Sequence, residues 1–266
     1  MTQQSRIDKG LWWDRAWSLV SGCTPVSKAC DSCWSASEAS MRAAQKNPKI
    51  RARYTGLTTG GHFNGTVRCN EDVLTIPLSI RKPTTWAVWT DLFHPEVPLE
   101  FAGRAFGTMA RCPQHTFLVL TKRPERMSRW FRAAFDVMSA EQMVPPWLFS
   151  NMWLGTTVEN EAALPRIGLL RACPAVVRFL SIEPLLEPLP TLGEHLDGIS
   201  WVVVGCESGP KRRPCRLEWV ESIVNQCAAA GTKIFIKQLD FSGELVKDFD
   251  RFPGPIRIRQ WPEVKP

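Results

Sequence analysis

Ile199-Ser200-Trp201-Val202-Val203-Val204 is followed at once by Gly205-Cys206-Glu207-Ser208-Gly209. An apolar run rich in β-branched residues that stops on a polar, glycine-bracketed turn reads as a strand buried on both faces. The same rhythm recurs upstream in Thr85-Trp86-Ala87-Val88-Trp89-Thr90, in Thr116-Phe117-Leu118-Val119-Leu120-Thr121, in Met152 to Val158 and in Val176 to Ile182. It returns downstream in Lys233-Ile234-Phe235-Ile236, and Ala16-Trp17-Ser18-Leu19-Val20 supplies a further strand ahead of Cys23. Helix-like stretches fill the gaps: Leu99 to Ala110 behind Pro98, Ala162 to Ala172, and Leu217 to Ala230 closed by Gly231. Spacings of roughly 25–35 residues match βα units in a parallel sheet. The predicted fold class is α/β, a parallel (β/α) barrel, complete or partial and TIM-like, of about seven strands.

The barrel is expected over residues 1–240, with a C-terminal extension over 241–266 that either wraps the barrel or is partly disordered. The stretch from about Asn47 to Lys82 breaks the rhythm and is rich in Gly, Thr and Arg. It reads either as an inserted loop that covers the mouth of a site or as a flexible surface loop. A chain of 266 residues that is 44% hydrophobic and 22% charged has the composition of a globular α/β protein. No apolar run approaches the roughly 18–20 residues that span a bilayer. The polar stretch Met1 to Lys9 does not resemble a signal peptide, so a cytoplasmic protein is expected. Nine cysteines are then expected to be reduced thiols, some of them metal ligands, with Cys173 and Cys227 as small core residues. The formal net charge of +7 suits a partner that carries phosphates, and equally suits simple solubility.

Chemistry in parallel α/β folds gathers where strands end. The first strand ends in Cys23-Thr24-Pro25-Val26-Ser27-Lys28-Ala29-Cys30-Asp31-Ser32-Cys33, a C-x6-C-x2-C spacing. Three thiolates on one loop can hold three irons of a four-iron cluster and leave the fourth open. A closed zinc site would want a fourth Cys or His, and none lies between Cys33 and His62. The other strand ends contribute Thr90 and Asp91; Thr121, Lys122 and Arg123; Glu159 and Asn160; Ser181 and Glu183; Glu207 and Ser208; and Lys237 and Gln238. A cavity lined by such carboxylates and cations suits a ligand with an amino-acid moiety and a ribose. Lys211, Arg212 and Arg213 form a compact basic patch, and Lys122 with Arg123 forms a second. Both read either as phosphate contacts to a nucleic acid or as solvated charge. His94, behind Asp91-Leu92-Phe93, is placed to reach the same cavity.

Taken together, these blocks resemble radical S-adenosylmethionine (SAM) enzymes. More closely they resemble a phage and bacterial three-cysteine-motif family near that superfamily. The matching stretches are Ser21-Gly22-Cys23-Thr24 with Cys30-Asp31-Ser32-Cys33, Trp89-Thr90-Asp91-Leu92-Phe93-His94, and Thr116 through Thr121-Lys122-Arg123-Pro124-Glu125. They continue with Trp153 to Asn160, Arg178 to Leu185, Val204 to Gly209 and Phe235 to Gln238. Two departures from the superfamily's common pattern stand out. The first cysteine gap is six residues rather than three, and Ser32 occupies a position that is often aromatic.

The resemblance implies a [4Fe–4S] cluster on Cys23, Cys30 and Cys33, with SAM on the open iron and a 5′-deoxyadenosyl radical as its product. By position, Asp91, Glu159, Glu183, Glu207 and Ser208 are expected to contact the cofactor or substrate. Lys122, Arg123, Lys211, Arg212 and Arg213 are the expected nucleic-acid contacts. The resemblance to phage-borne relatives implies modification or isomerisation of a hypermodified thymine, or of its amino-acid adduct, in DNA. A flavodoxin-type reductase would act as electron donor, in the cytoplasm of a host cell. The alternatives are a DNA photoproduct-type repair lyase, and a non-catalytic zinc or Fe–S nucleic-acid-binding protein. A zinc site would take its fourth ligand from His62 or Cys69.

Overall fold

The structure is a computed structural model that describes residues 9–140, 150–209 and 212–263. Its centre is one sheet of eight strands. Seven run parallel in chain order: β1 (Arg15–Trp17), β6 (Thr85–Val88), β7 (Thr116–Thr121), β8 (Met152–Thr157), β9 (Arg178–Ile182), β10 (Trp201–Gly205) and β11 (Lys233–Phe241). Six of these match the expected apolar runs; the first is shorter than expected, because the run Ala16 to Val20 leaves the sheet after Trp17 and Val20–Ser21 pairs antiparallel with Arg68–Cys69 instead. The eighth, β12 (Glu244–Val246), pairs antiparallel with β11 through Leu239↔Val246 and escapes notice in the sequence because it is three residues long. Among the described residues no helix is long and apolar enough to cross a membrane.

Helices connect the strands. They are α3 (Leu99–Ala110), α4 (Pro124–Ala140), α5 (Pro165–Arg171) and α6 (Leu217–Ala229). Both α4 and α5 open on proline, whose fixed φ and missing N–H suit a first helical turn. The expected helix at 162–172 is shorter, with a 3-10 turn at Glu161–Ala163 ahead of α5.

Alternation along the strands divides the core in two. Phe117, Val119, Leu154, Leu180, Ile182, Val202, Val204, Ile234 and Ile236 belong to the large cluster shared with the helices. Their neighbours Leu118, Trp153, Phe179, Trp201, Val203 and Phe235 form a second cluster on the opposite face, joined by Trp12. Each such side chain, buried on folding, contributes about 1.5–3 kcal/mol. Gly155 is required on this face: a Cβ there would lie 2.4 Å from the Phe179 ring.

The segment expected as an inserted loop is folded. It holds α2 (Pro48–Tyr54), capped by the Asn47 side chain, which accepts from Lys49 N at 3.0 Å. A small hairpin of β3 (Thr58–Thr59) and β4 (His62–Phe63) follows. Next, β5 (Arg68–Cys69) pairs with β2 (Val20–Ser21), so the segment is stitched to the chain just ahead of the cysteine loop. Tyr54 and Leu57 pack with Ala39 of α1 (Trp34–Ala43). The segment thus carries helix and strand structure and shares a small apolar cluster with α1.

Of the two readings of the C-terminal extension, wrapping is the one observed over its described residues. Ile236 N donates to Ile258 O at 2.9 Å and Gln260 N to Ile234 O at 2.8 Å, so the tail runs along β11. Trp261 then packs 4.5 Å from the ring of Trp201, closing the aromatic cluster from below.

Candidate active site at the cysteine-lined cavity

A cavity of about 420 Å³ opens at the carboxyl ends of β1, β6 and β7. Trp12 and Leu118 form part of its apolar lining, and Cys23, Cys30 and Cys33 all face it. The loop that carries the cysteines is fixed from three sides.

The first anchor is a buried ion pair. Arg123 Nη1 donates to Asp91 Oδ2 at 2.7 Å, and both side chains are under 10% exposed. The same guanidinium donates through Nη2 to the carbonyl and the hydroxyl of Thr24, each at 2.8 Å, and its Nη1 lies 3.9 Å from Cys23 Sγ. Asp91 also accepts from Thr121 Oγ1 at 2.6 Å and from Phe93 N at 3.0 Å. Thr90, between Trp89 and Asp91, holds φ at 69°, a region that costs a β-branched residue free energy and that clusters at functional sites.

The second anchor comes from the end of β10. Arg213 is paired with both carboxylate oxygens of Glu207, and its Nη1 reaches across to the Lys28 carbonyl at 2.8 Å. The third is Gly22, at φ 90°. A Cβ on Gly22 would lie 1.9 Å from the Thr66 carbonyl oxygen, so the inserted segment presses on the backbone directly ahead of Cys23.

The three thiols have different surroundings. Burial, with Asp91 close by, pushes the Cys23 thiol up to about 11 against the opposing pull of Arg123. Cys30 Sγ accepts from Val26 N at 3.5 Å. Cys33 is the N-cap of α1.

A model of the family described as Protein of unknown function (DUF5131) matches residues 5–249. The chain belongs to this family. Comparison with curated proteins and with solved structures gives no match. The matched span runs from ahead of the cysteine loop through β12, so the family's shared region contains every anchor just described.

The remaining expected site residues are distributed differently from the sequence reading. Asp91 lines the cavity, but its carboxylate is engaged by Arg123, Thr121 and the Phe93 amide. Glu159, Glu183, Glu207 and Ser208 do not line this cavity. Glu159 is fully buried against Arg166 at 2.8 Å, with its Oε1 unpartnered among the described residues. Glu183 accepts from Lys237 Nζ at 2.7 Å. Ser208 lies partly exposed in the loop after β10. The strand-end carboxylates are thus matched by cations of the chain itself, which the one-dimensional reading missed.

Members of the basic patches also find partners within the chain. Arg123 is buried in the loop anchor. Arg213 holds Glu207, and Arg212 Nε lies 4.0 Å from Asp240. Lys211 lies outside the described residues. Lys122 does line the cavity.

Four residues not singled out as site residues shape the mouth. Trp34 stacks on Trp89 with ring centroids 5.5 Å apart and planes 6° off parallel, while the Arg42 guanidinium lies 4.4 Å from the Trp89 centroid. Glu38 fixes Arg42 at 2.7 Å. Trp34 remains 55% exposed. The signal available was Trp34 itself, directly after Cys33. His94, expected to reach the cavity, contacts the loop through Thr24, whose Oγ1 is 2.8 Å from Nε2.

His62 and Cys69, the suggested fourth zinc ligands, do not line the cavity. Among the described residues no group of three or more His, Cys, Asp or Glu is gathered as for a single ion. Cys23, Cys30 and Cys33 are free thiols that face one partly apolar cavity.

Proposed function

We propose that the protein is a radical SAM iron–sulfur enzyme that modifies or isomerises a thymine-type base, or its amino-acid adduct, in DNA. The observation that carries this reading is that Cys23, Cys30 and Cys33 line one cavity at the carboxyl edge of a parallel sheet. Those three residues would hold a [4Fe–4S] cluster, which together with SAM supplies a 5′-deoxyadenosyl radical for hydrogen abstraction.

The protein's own part is to bind, orient and shield. Arg123 and Arg213 hold the cysteine loop in place. Trp12 and Leu118 give the cavity apolar walls, which exclude water from a reactive intermediate. The stacked pair of Trp34 and Trp89 offers a planar aromatic surface at the mouth, suited to a nucleobase. Lys122, which also lines the cavity, supplies a cation for a phosphate or carboxylate. Electrons would come from a flavodoxin-type reductase.

The reading of the sheet as a TIM-like barrel belongs to the same proposal. It is supported by Gly10, ahead of β1, lying against the Lys237 carbonyl of β11. Trp12 packing within 5.9 Å of Phe179 and Trp201 supports it as well.

The test is anaerobic incubation of the iron-reconstituted, reduced protein with SAM, followed by assay of 5′-deoxyadenosine. Release above a cluster-free control is expected. A fully reconstituted cluster that leaves SAM intact would leave only a structural role for the iron.

A further inference from the structure

Four cations near the carboxyl ends of the strands have carboxylate partners: Arg123 with Asp91, Arg166 with Glu159, Arg213 with Glu207 and Lys237 with Glu183. The opposite edge of the sheet differs. Arg132 of α4, Arg171 at the end of α5 and Arg178 at the start of β9 line a pocket of about 270 Å³ with Ser128 and Cys173. Arg178 is fixed by two donations to the Cys173 carbonyl, from Nε at 3.1 Å and Nη2 at 2.7 Å. Arg171 Nη2 donates to the His195 carbonyl at 3.1 Å. Neutral carbonyls aim both guanidiniums without cancelling their charge. Among the described residues neither has a carboxylate partner.

Like charges held together at a concave, partly buried surface raise the free energy of the empty pocket. Burial, with Arg171 nearby, holds Arg178 below the usual guanidinium range. An anion with several acceptor oxygens relieves this, because each guanidinium still has N–H donors to give. A tetrahedral oxyanion meets donors arriving from a helix side, a helix end and a strand start better than a planar carboxylate does.

We propose that Arg132, Arg171 and Arg178 form a binding site for a phosphate group, separate from the cysteine-lined cavity. The site does not depend on the chemistry of that cavity. The phosphate belongs either to a polynucleotide backbone or to a free phosphate or phosphomonoester.

The experiment titrates the full chain with inorganic phosphate by calorimetry at low ionic strength, and with a short single-stranded oligonucleotide across a salt series. Variants are Arg171→Gln and Arg132→Gln, both exposed side chains, and Arg51→Gln, which removes the same charge from exposed α2. Saturable phosphate binding is expected, weakened about tenfold by Arg171→Gln or Arg132→Gln, the effect of losing one charge-assisted hydrogen bond, and unchanged by Arg51→Gln. If Arg171→Gln also lowers the oligonucleotide salt slope by roughly 0.7, the phosphate is that of a backbone. If the slope holds while phosphate binding weakens, the ligand is a free phosphate or phosphomonoester. No saturable phosphate binding, or equal weakening by Arg51→Gln, would overturn the site.

Discussion

Arg123 and Asp91 form a buried ion pair, 2.7 Å from Nη1 to Oδ2, and the same guanidinium holds Thr24 of the cysteine loop. A pair of this kind is strongly coupled, because removing either partner leaves an uncompensated charge. Asp91→Asn or Arg123→Gln should each cost about 3–5 kcal/mol of stability, read from denaturant unfolding. The double variant should cost less than the sum of the two, since neither charge is then left alone. Additive losses would show that the pair is not the anchor described here.

The cysteine loop also depends on Gly22. At φ 90° and with Thr66 O where a Cβ would sit, Gly22→Ala forces the backbone to move. The expected loss is about 1–3 kcal/mol in unfolding free energy, together with reduced iron incorporation on reconstitution. Wild-type iron content and stability in this variant would mean the inserted segment does not position the loop.

His94 gives a pH dependence with a defined sign. Glu96 N donates to Nδ1 at 3.1 Å, so the ring proton of the neutral form belongs on Nε2, facing Thr24. Protonating Nδ1 would set two donors against each other. Burial first, and then Arg123 and Arg126, hold this imidazole below its ordinary range, against Asp91 and Glu96. The folded state therefore binds the proton less readily than the unfolded chain. The stabilising contribution is complete above the unfolded value of about 6.5 and is lost as the pH falls from there through the folded value. A His94→Gln variant should flatten the stability profile over that window. An unchanged profile would remove His94 as its source.

Trp34 is exposed, stacked and adjacent to a cysteine, so its role separates from folding. Trp34→Ala should weaken binding of a single-stranded thymine oligonucleotide by about 1–3 kcal/mol, the range for one base–aromatic stack. Fluorescence titration measures it, and the melting temperature should move little. Unaltered affinity would make the stack a packing feature of α1.

Most of the parallel strands were legible because they are nearly continuous in apolar residues, as burial on two faces demands; β1, with Arg15 and Ala16 exposed, is the exception. Trp201 to Val204 is the clearest case, with all four residues buried. The cysteine loop was legible from spacing alone. The partners of the strand-end charges were not, because Glu183 meets Lys237 from 54 positions away and Asp91 meets Arg123 from 32. Nothing in the order of residues distinguishes a carboxylate held by a distant cation from one turned to a ligand. The segment from 47 to 82 was hidden for a related reason. Its strands are two residues long, and β5 gains its order only by pairing with β2. Trp12 and Trp261 lie near opposite ends of the chain and meet around Trp201, a contact no local pattern announces.

The most direct test of the central claim is the EPR spectrum of the anaerobically reconstituted, reduced protein, recorded with and without SAM, beside a Cys30→Ala variant. The account predicts a reduced [4Fe–4S] signal that shifts when SAM is added and is absent from the variant. A colourless protein that takes up zinc instead of iron, or a cluster signal that survives in Cys30→Ala, would contradict it.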